Sequence, residues 1–261
     1  MDKSLKGKTA IVCGSTDGIG KSTAVLMADR GCQIILVARN QDKLDSTLAE
    51  LNNNQNHSSV CANFDNPEEL KVNISTALKS LNKPVDILVN NSGGPHGGPL
   101  IEADEDEFRV AFERLLICNH ILAKAVVPGM KEIKWGRIIN IISTSVRQVI
   151  AGLGVSNTIR GSVAQWGKSL ALELGEFGIT VNNVLPGYTA TSRLKDLAKT
   201  KSESTGISEE DIHEAWGNNT SLKRLGMPVE ISECIAFLAS DASSYITGHN
   251  LSIDGGRFGG A

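Results

Sequence analysis

Two sets of residues near the start of the chain have types and spacings that could do chemistry. The first is Gly14-Ser15-Thr16-Asp17-Gly18-Ile19-Gly20-Lys21-Ser22, directly after the apolar run TAIVC (9–13). Glycines at a strand-to-helix turn serve positive-φ positions and let backbone approach a pyrophosphate. The following helix N-terminus then offers free N–H groups and a positive dipole end. The turn therefore predicts a dinucleotide cradle, with Gly14, Ser15, Thr16, Gly18, Ile19 and Gly20 against the cofactor. Gly20-Lys21-Ser22 also suggests a nucleoside-triphosphate loop, but that motif needs four residues between its glycines. Here five separate Gly14 from Gly20, and Ser15 holds the required position. No strand ends in an acid that would hold magnesium, so neither a metal site nor an ATPase is expected.

The second set lies at the end of QIILVA (33–38). Proteins that bind NAD in such a cradle usually place a carboxylate there, roughly 20 residues past the glycines, for the ribose 2′-hydroxyl. This chain reads Val37-Ala38-Arg39-Asn40, with no acid. Arg39 is instead placed to pair with a 2′-phosphate through charge-assisted bonds, which predicts NADP(H) as cofactor.

The elements that must position these residues follow from the apolar pattern. The runs TAIVC (9–13), QIILVA (33–38), SSVCA (58–62), DILVN (86–90), RIINIIS (137–143), TVNNVL (180–185) and NLSI (250–253) read as strands. Most are continuous rather than alternating, as in a parallel sheet buried on both faces. Helix-length segments lie between them: 20–30, 42–52, 67–81, 104–131, 156–177 and 228–240. The alternation predicts an α/β Rossmann fold, one domain over 1–261, with a doubly wound, mostly parallel seven-stranded sheet and helices on both faces. The segment 188–226 breaks the rhythm; it is long, polar and weakly helical, which suits a substrate lid.

Composition limits the remaining classes. The chain is 41 % hydrophobic and 21 % charged with net charge −3, so it can bury a core and shows no basic footprint for nucleic acid or an anionic membrane. No apolar run approaches the roughly 18 residues needed to cross a bilayer, and the N-terminus lacks the apolar region of a signal peptide. The five cysteines (13, 32, 61, 118 and 234) are widely spaced and never form CxxC. They read as core residues in a reduced, cytoplasmic protein.

Over essentially its whole length the chain resembles the short-chain dehydrogenase/reductase family, in the style of 3-oxoacyl-ACP reductases. The likeness is carried by Gly14-x-x-x-Gly18-Ile19-Gly20, Asn90-Asn91-Ser92-Gly93, the segment 136–143 (GRIINIIS), Pro186-Gly187 with Thr191, and FLASDASSYITGHNLSIDGG near the C-terminus. The resemblance implies that Asn90, Ser92 and Gly93 support the adenosine ribose and the fourth strand's end. It places Pro186, Gly187 and Thr191 at the nicotinamide, and Asn63 where an aspartate usually touches adenine. Ser143 matches the family's catalytic serine. A homotetramer is also implied, with helices 104–131 and 156–177 in one interface and the last strand and tail 257–261 in another.

The same comparison exposes a departure. The family's chemistry rests on Tyr-x-x-x-Lys, and at the usual spacing from Ser143 this chain has Ser156 and Arg160. The active-site asparagine falls at Leu115, with Asn119 one turn later. A serine hydroxyl is too weak an acid to replace a tuned phenol, and arginine does not relay a proton. Arg160 can still hold ribose hydroxyls, stabilise an alkoxide or clamp a substrate anion. Tyr188 and His96, the latter in the loop Gly93–Gly98, stand near the expected pocket and could supply a proton. Ser143, Ser145, Arg147, Ser156 and Arg160 would line a polar, cationic pocket, which suits an anionic or highly hydroxylated substrate. Two functions follow: an NADP(H)-dependent oxidoreductase of a small carbonyl or alcohol with a non-standard acid, or an NADP(H)-binding protein with no redox turnover or a non-redox reaction.

Overall fold

A computed structural model describes residues 4–52, 55–81 and 83–258. Its strands are β1 (Thr9–Cys13), β2 (Gln33–Ala38), β3 (Ser58–Cys61), β4 (Ile87–Asn90), β5 (Gly136–Ile141), β6 (Ile179–Pro186) and β7 (Asn250–Ile253). All seven apolar runs are strands; β1, β2 and β7 have the expected ends, and the other four differ by at most two residues at either end. They form one sheet in the order β3-β2-β1-β4-β5-β6-β7, with every neighbouring pair parallel. The expected mostly parallel sheet is thus parallel throughout.

Alternate residues of each strand feed opposite cores. Ala10, Val12, Ile34, Leu36, Ile87 and Val89 pack against α1 (Gly18–Asp29) and α9 (Pro228–Leu238). Ile11, Cys13, Ile35, Val37 and Leu88 pack on the other side against α3 (Pro67–Lys79) and α5 (Cys118–Glu132). Burial on both faces is why the runs show no polar alternation. Cys13, Cys32 and Cys118 are buried and all five thiols are free. Among the described residues no helix is long and apolar enough to cross a membrane.

Two helical segments depart from the pattern read in the sequence. The helix expected over 104–131 is α4 (Glu105–Phe112), a π-helical turn at Glu113–Ile117, and then α5. The amide of Cys118 donates to the carbonyl of Glu113, which inserts an extra residue into the ladder. Periodicity over 28 residues does not register one inserted residue. The polar segment 188–226 is also more ordered than its composition suggests. It forms α7 (Ser192–Thr205) and α8 (Glu209–Asn218), whose Leu194, Ala198, Ile212 and Trp216 make a small core of their own. Short amphipathic helices around four large contacts leave little hydrophobic signal in sequence. The remaining helices are α2 (Gln41–Glu50) and α6 (Gly154–Leu174).

The strand order reverses between β1 and β4, so the sheet splays there and opens a crevice at the strands' C-terminal ends.

Candidate active site

That crevice is a cleft of about 800 Å³, large enough for a dinucleotide and a small substrate. At its floor the glycine turn has the geometry a phosphate cradle requires. Gly14 and Gly18 have φ of +57° and +51°. A Cβ on Gly20 would stand 2.1 Å from the Gly14 carbonyl oxygen. Asp17 caps α1, its carboxylate accepting from the Gly18 amide at 2.7 Å, and its second oxygen accepts from the Ser192 hydroxyl. The first turn of α7 is thereby tied to the cradle.

Most of the residues expected at the cofactor share this cleft: Gly14, Thr16, Gly18, Ile19, Arg39, Asn63, Ser92, Gly93, Pro186, Gly187 and Thr191 line it. Three do not. Ser15 is fully buried and directs its hydroxyl at the Val37 carbonyl, locking the turn to β2. Gly20 sits beneath the turn and acts by allowing the close approach to Gly14. Asn90 is buried inside the sheet, where its amide donates to Asn140 at 2.9 Å. Arg39 is exposed and only loosely paired with Asp65, at 4.0 Å. Beside it the cleft gains a cation the sequence reading missed, Lys43, three residues beyond the α2 N-cap Asn40. Its signal was available: it lies in the first turn of the helix that follows Arg39. Asn63 accepts from the Asp65 amide, leaving its side-chain N–H₂ as the free donor toward the cleft.

At the other end stand the expected catalytic residues. Ser143, Ser156, Arg160, Tyr188 and His96 all line the cleft. Ser156 and Arg160 lie one turn apart on α6, and Arg160 Nε donates to Ser156 Oγ at 3.1 Å. Arg160 Nη1 donates to the Ile142 carbonyl at 2.7 Å. Burial, with Arg193 nearby, lowers the guanidinium to about 10, so it remains a cation at neutral pH. Ser143 begins the short turn after β5 and accepts from the Ser145 amide. Tyr188 stacks on Trp216 with ring centroids 5.1 Å apart, under the Arg257 guanidinium. Burial raises its phenol despite Arg257, making it a poorer acid than free tyrosine. Arg147 and Ser145, expected in the pocket, are not in it. Arg147 donates to the Asn250 carbonyl at the sheet edge and Ser145 is buried. Arg193, absent from the expected set, supplies the charge instead.

Beneath Arg160 is a chamber of about 10 Å³, the size of one water, bordered also by Asn90, Leu115 and Asn119. Register brings Asn90, Asn140, Asn183 and Asn250 side by side on four neighbouring strands. Their amides form a chain whose direction is fixed at one point: Asn183 must donate to the Ala164 carbonyl, which can only accept. Asn90 therefore keeps its Oδ1 as a buried acceptor with no protein partner, and Asn119 Oδ1 is in the same state. Leu115 packs with Ile142, Val155 and Ile159 and contributes no polar group.

A family model described as Enoyl-(Acyl carrier protein) reductase matches residues 14–257. The chain is 34 % identical over 254 residues to the 3-oxoacyl-[acyl-carrier-protein] reductase of Vibrio cholerae, covering 97 % of this chain and 98 % of that protein. It is 27 % identical over 254 residues to the NADPH-dependent reductase BacG of Bacillus subtilis, covering 97 % and 98 %. Among solved structures, L-sorbose reductase from Gluconobacter frateurii complexed with NADPH and L-sorbose superposes over 100 % of both chains, with a TM-score of 0.93 at 27 % identity.

Proposed function

Because the chain belongs to the short-chain dehydrogenase/reductase family, we propose that it is an NADP(H)-dependent oxidoreductase of a small carbonyl or alcohol, with a non-standard proton donor. One observation carries this reading: a single cleft joins the glycine cradle, the Arg39–Lys43 end and the Ser143–Ser156–Arg160 cluster. Relatives named as NADPH-dependent or solved with NADPH support the cofactor. The free α1 N-terminus and Gly14–Gly18 suit its pyrophosphate, and Arg39 with Lys43 suits a 2′-phosphate.

When bound, the cofactor supplies a hydride to the carbonyl carbon. The chain's part is to hold the carbonyl and stabilise the oxyanion that develops on its oxygen. Ser143 and Ser156 supply hydroxyl donors, and Arg160 supplies a fixed charge in a partly desolvated cleft. The proton then comes from His96, on the exposed loop at the cleft mouth. Tyr188 is a weaker candidate because its ring is held between Trp216 and Arg257. Asn119 and Asn90 suit a water against Arg160, which would keep the guanidinium aimed at the cleft. The segment 188–226 serves as the lid.

The test is consumption of NADPH by the purified protein against a broad panel of ketones and aldehydes. Turnover is expected, and it is expected to fall in Ser143→Ala. Confirmed NADPH binding with no turnover on any carbonyl would instead favour a non-redox role. NADPH is expected to bind at least about tenfold tighter than NADH, since one charge-assisted contact is worth over 1 kcal/mol. Arg39→Ala should bring the two affinities together in a fluorescence titration, and equal affinities in the wild type would remove Arg39 from the argument.

A homotetramer in the reducing cytoplasm completes the proposal. Val110 and Phe112 on α4 and Leu172 on α6 are exposed apolar residues on the expected helical faces, and β7 is an uncovered edge strand. The last residues of the expected tail contact, 259–261, lie outside the described residues. Light scattering should give about four times the 27.8 kDa chain mass; a monomer would refute the assembly.

A further inference from the structure

We propose that the substrate carries an anionic oxygen group, a carboxylate or a phosphate, held between Arg160 and Arg193. The proposal rests on the reading of this cleft as an NADP(H)-dependent active site and names its substrate class. The two guanidiniums come from different elements, α6 and the first turn of α7, and converge on Gly94. From the point where a Gly94 Cβ would stand, Arg160 Nη2 is 3.1 Å away, Arg193 Nη2 is 3.9 Å and Ser156 Oγ is 4.0 Å. A side chain at position 94 would crowd Arg160; glycine leaves the space open.

Neither guanidinium has a counter-ion within 4.0 Å among the described residues. Arg160 spends Nε on Ser156 and Nη1 on the Ile142 carbonyl, leaving Nη2. Arg193 spends Nη2 on the Pro95 carbonyl, leaving Nε and Nη1. Asp65 holds Arg114 and Asp17 caps α1; Asp196, which lines the same cleft, partly offsets the Arg193 charge but makes no ion pair with it within 4.0 Å. Burial disfavours both charges, and the neighbouring Arg193 disfavours that of Arg160 further. Two half-buried cations facing one space are a costly arrangement unless an anion bridges them. A carboxylate or phosphate has several acceptor oxygens and can bridge the N–H donors that remain on the two side chains.

The cofactor's own phosphates are not this anion. Its pyrophosphate is served by the glycine turn and α1, and a 2′-phosphate by Arg39 and Lys43 at the far end. The space between Arg160 and Arg193 lies beside Ser143 and Ser156, where the reacting carbon must stand. An anion there would also link the first turn of α7, already tied to Asp17 and the Pro95 carbonyl, to α6 across the substrate.

The experiment uses the full chain saturated with NADP⁺ and follows melting temperature at constant ionic strength. The probes are acetate, 2-oxobutanoate, inorganic phosphate and neutral acetamide, each against chloride. At least one anion is expected to raise the melting temperature of the wild type by about 3 °C or more, by preferential binding to the folded state. Acetamide is expected to have no effect. Carboxylate and phosphate are separated by which gives the larger shift. Arg193→Gln, at a half-buried position, should abolish most of the shift while keeping NADPH affinity within about threefold. No anion response, or an equal response in Arg193→Gln, overturns the proposal. A tenfold loss of NADPH affinity in Arg193→Gln also overturns it, by assigning Arg193 to the cofactor. Failure of the wild type to bind NADPH would instead sink the reading of the cleft itself.

Discussion

Gly20→Ala is expected to weaken NADPH binding by at least about a hundredfold, on the order of 2.7 kcal/mol, while leaving a folded protein. The cause is local. A Cβ at this position would lie 2.1 Å from the Gly14 carbonyl oxygen and 2.8 Å from Asn91 Nδ2. The first is backbone and cannot rotate away, so the turn between β1 and α1 must open. Gly14 is pinned on its other side, because its own Cβ position lies 2.6 Å from Asn91 Nδ2. Overpacking of this kind costs about 1–3 kcal/mol in stability. It also moves the helix N-terminus that must face the pyrophosphate. Gly161→Ala is the control: it lies on α6 with nothing within 4 Å of its Cβ. It should bind NADPH as the wild type does and gain about 0.5–1 kcal/mol of stability from helix propensity. Equal NADPH affinities for Gly20→Ala and wild type in a fluorescence titration would show that the turn is not the cradle.

The parts of this protein that were legible in sequence are those where one residue type has one physical reason. Continuous runs such as QIILVA are strands because both faces are covered, and Gly14, Gly18 and Gly20 mark a turn few other residues tolerate. What stayed hidden depends on alignment between distant segments. Asn90, Asn140, Asn183 and Asn250 read singly as polar residues in or beside apolar runs. Only strand register turns them into a hydrogen-bonded row and buries the Asn90 side chain within it. The π-helical turn at Glu113–Ile117 was hidden because one extra residue barely changes the pattern of α4 and α5. Arg193 was hidden because the segment around it reads as a polar, weakly helical stretch in which one more charge carries no signal. Its charge matters only once α7 folds back over the cleft, where it stands beside Arg160 in place of Arg147.

That substitution of charges leads to the second large effect. Arg160→Leu is expected to lower kcat/KM for the carbonyl substrate by about 10²–10³-fold, the usual cost of removing one preorganised oxyanion donor. The side chain is preorganised by two bonds, to Ser156 Oγ and to the Ile142 carbonyl, so its free edge faces the cleft without reorganising. Leucine fills similar space, which limits the structural damage. NADPH affinity should fall much less, because the cradle and the Arg39 end lie away from this position. Ser156→Ala removes one of the two supports and should cost about tenfold or less. Arg160→Lys should recover only part of the loss, since one ammonium cannot make both anchoring bonds in the same geometry and still present a donor where Nη2 stands. A tyrosine-type acid would behave differently: losing the proton donor would give a kcat that rises with buffer-acid concentration. For Arg160→Leu, no buffer acid should restore the rate, because the missing element is a fixed charge rather than a transferable proton. Turnover of Arg160→Leu within threefold of wild type, or rescue by buffer acids, would show that Arg160 is not what replaces the family's Tyr-x-x-x-Lys chemistry.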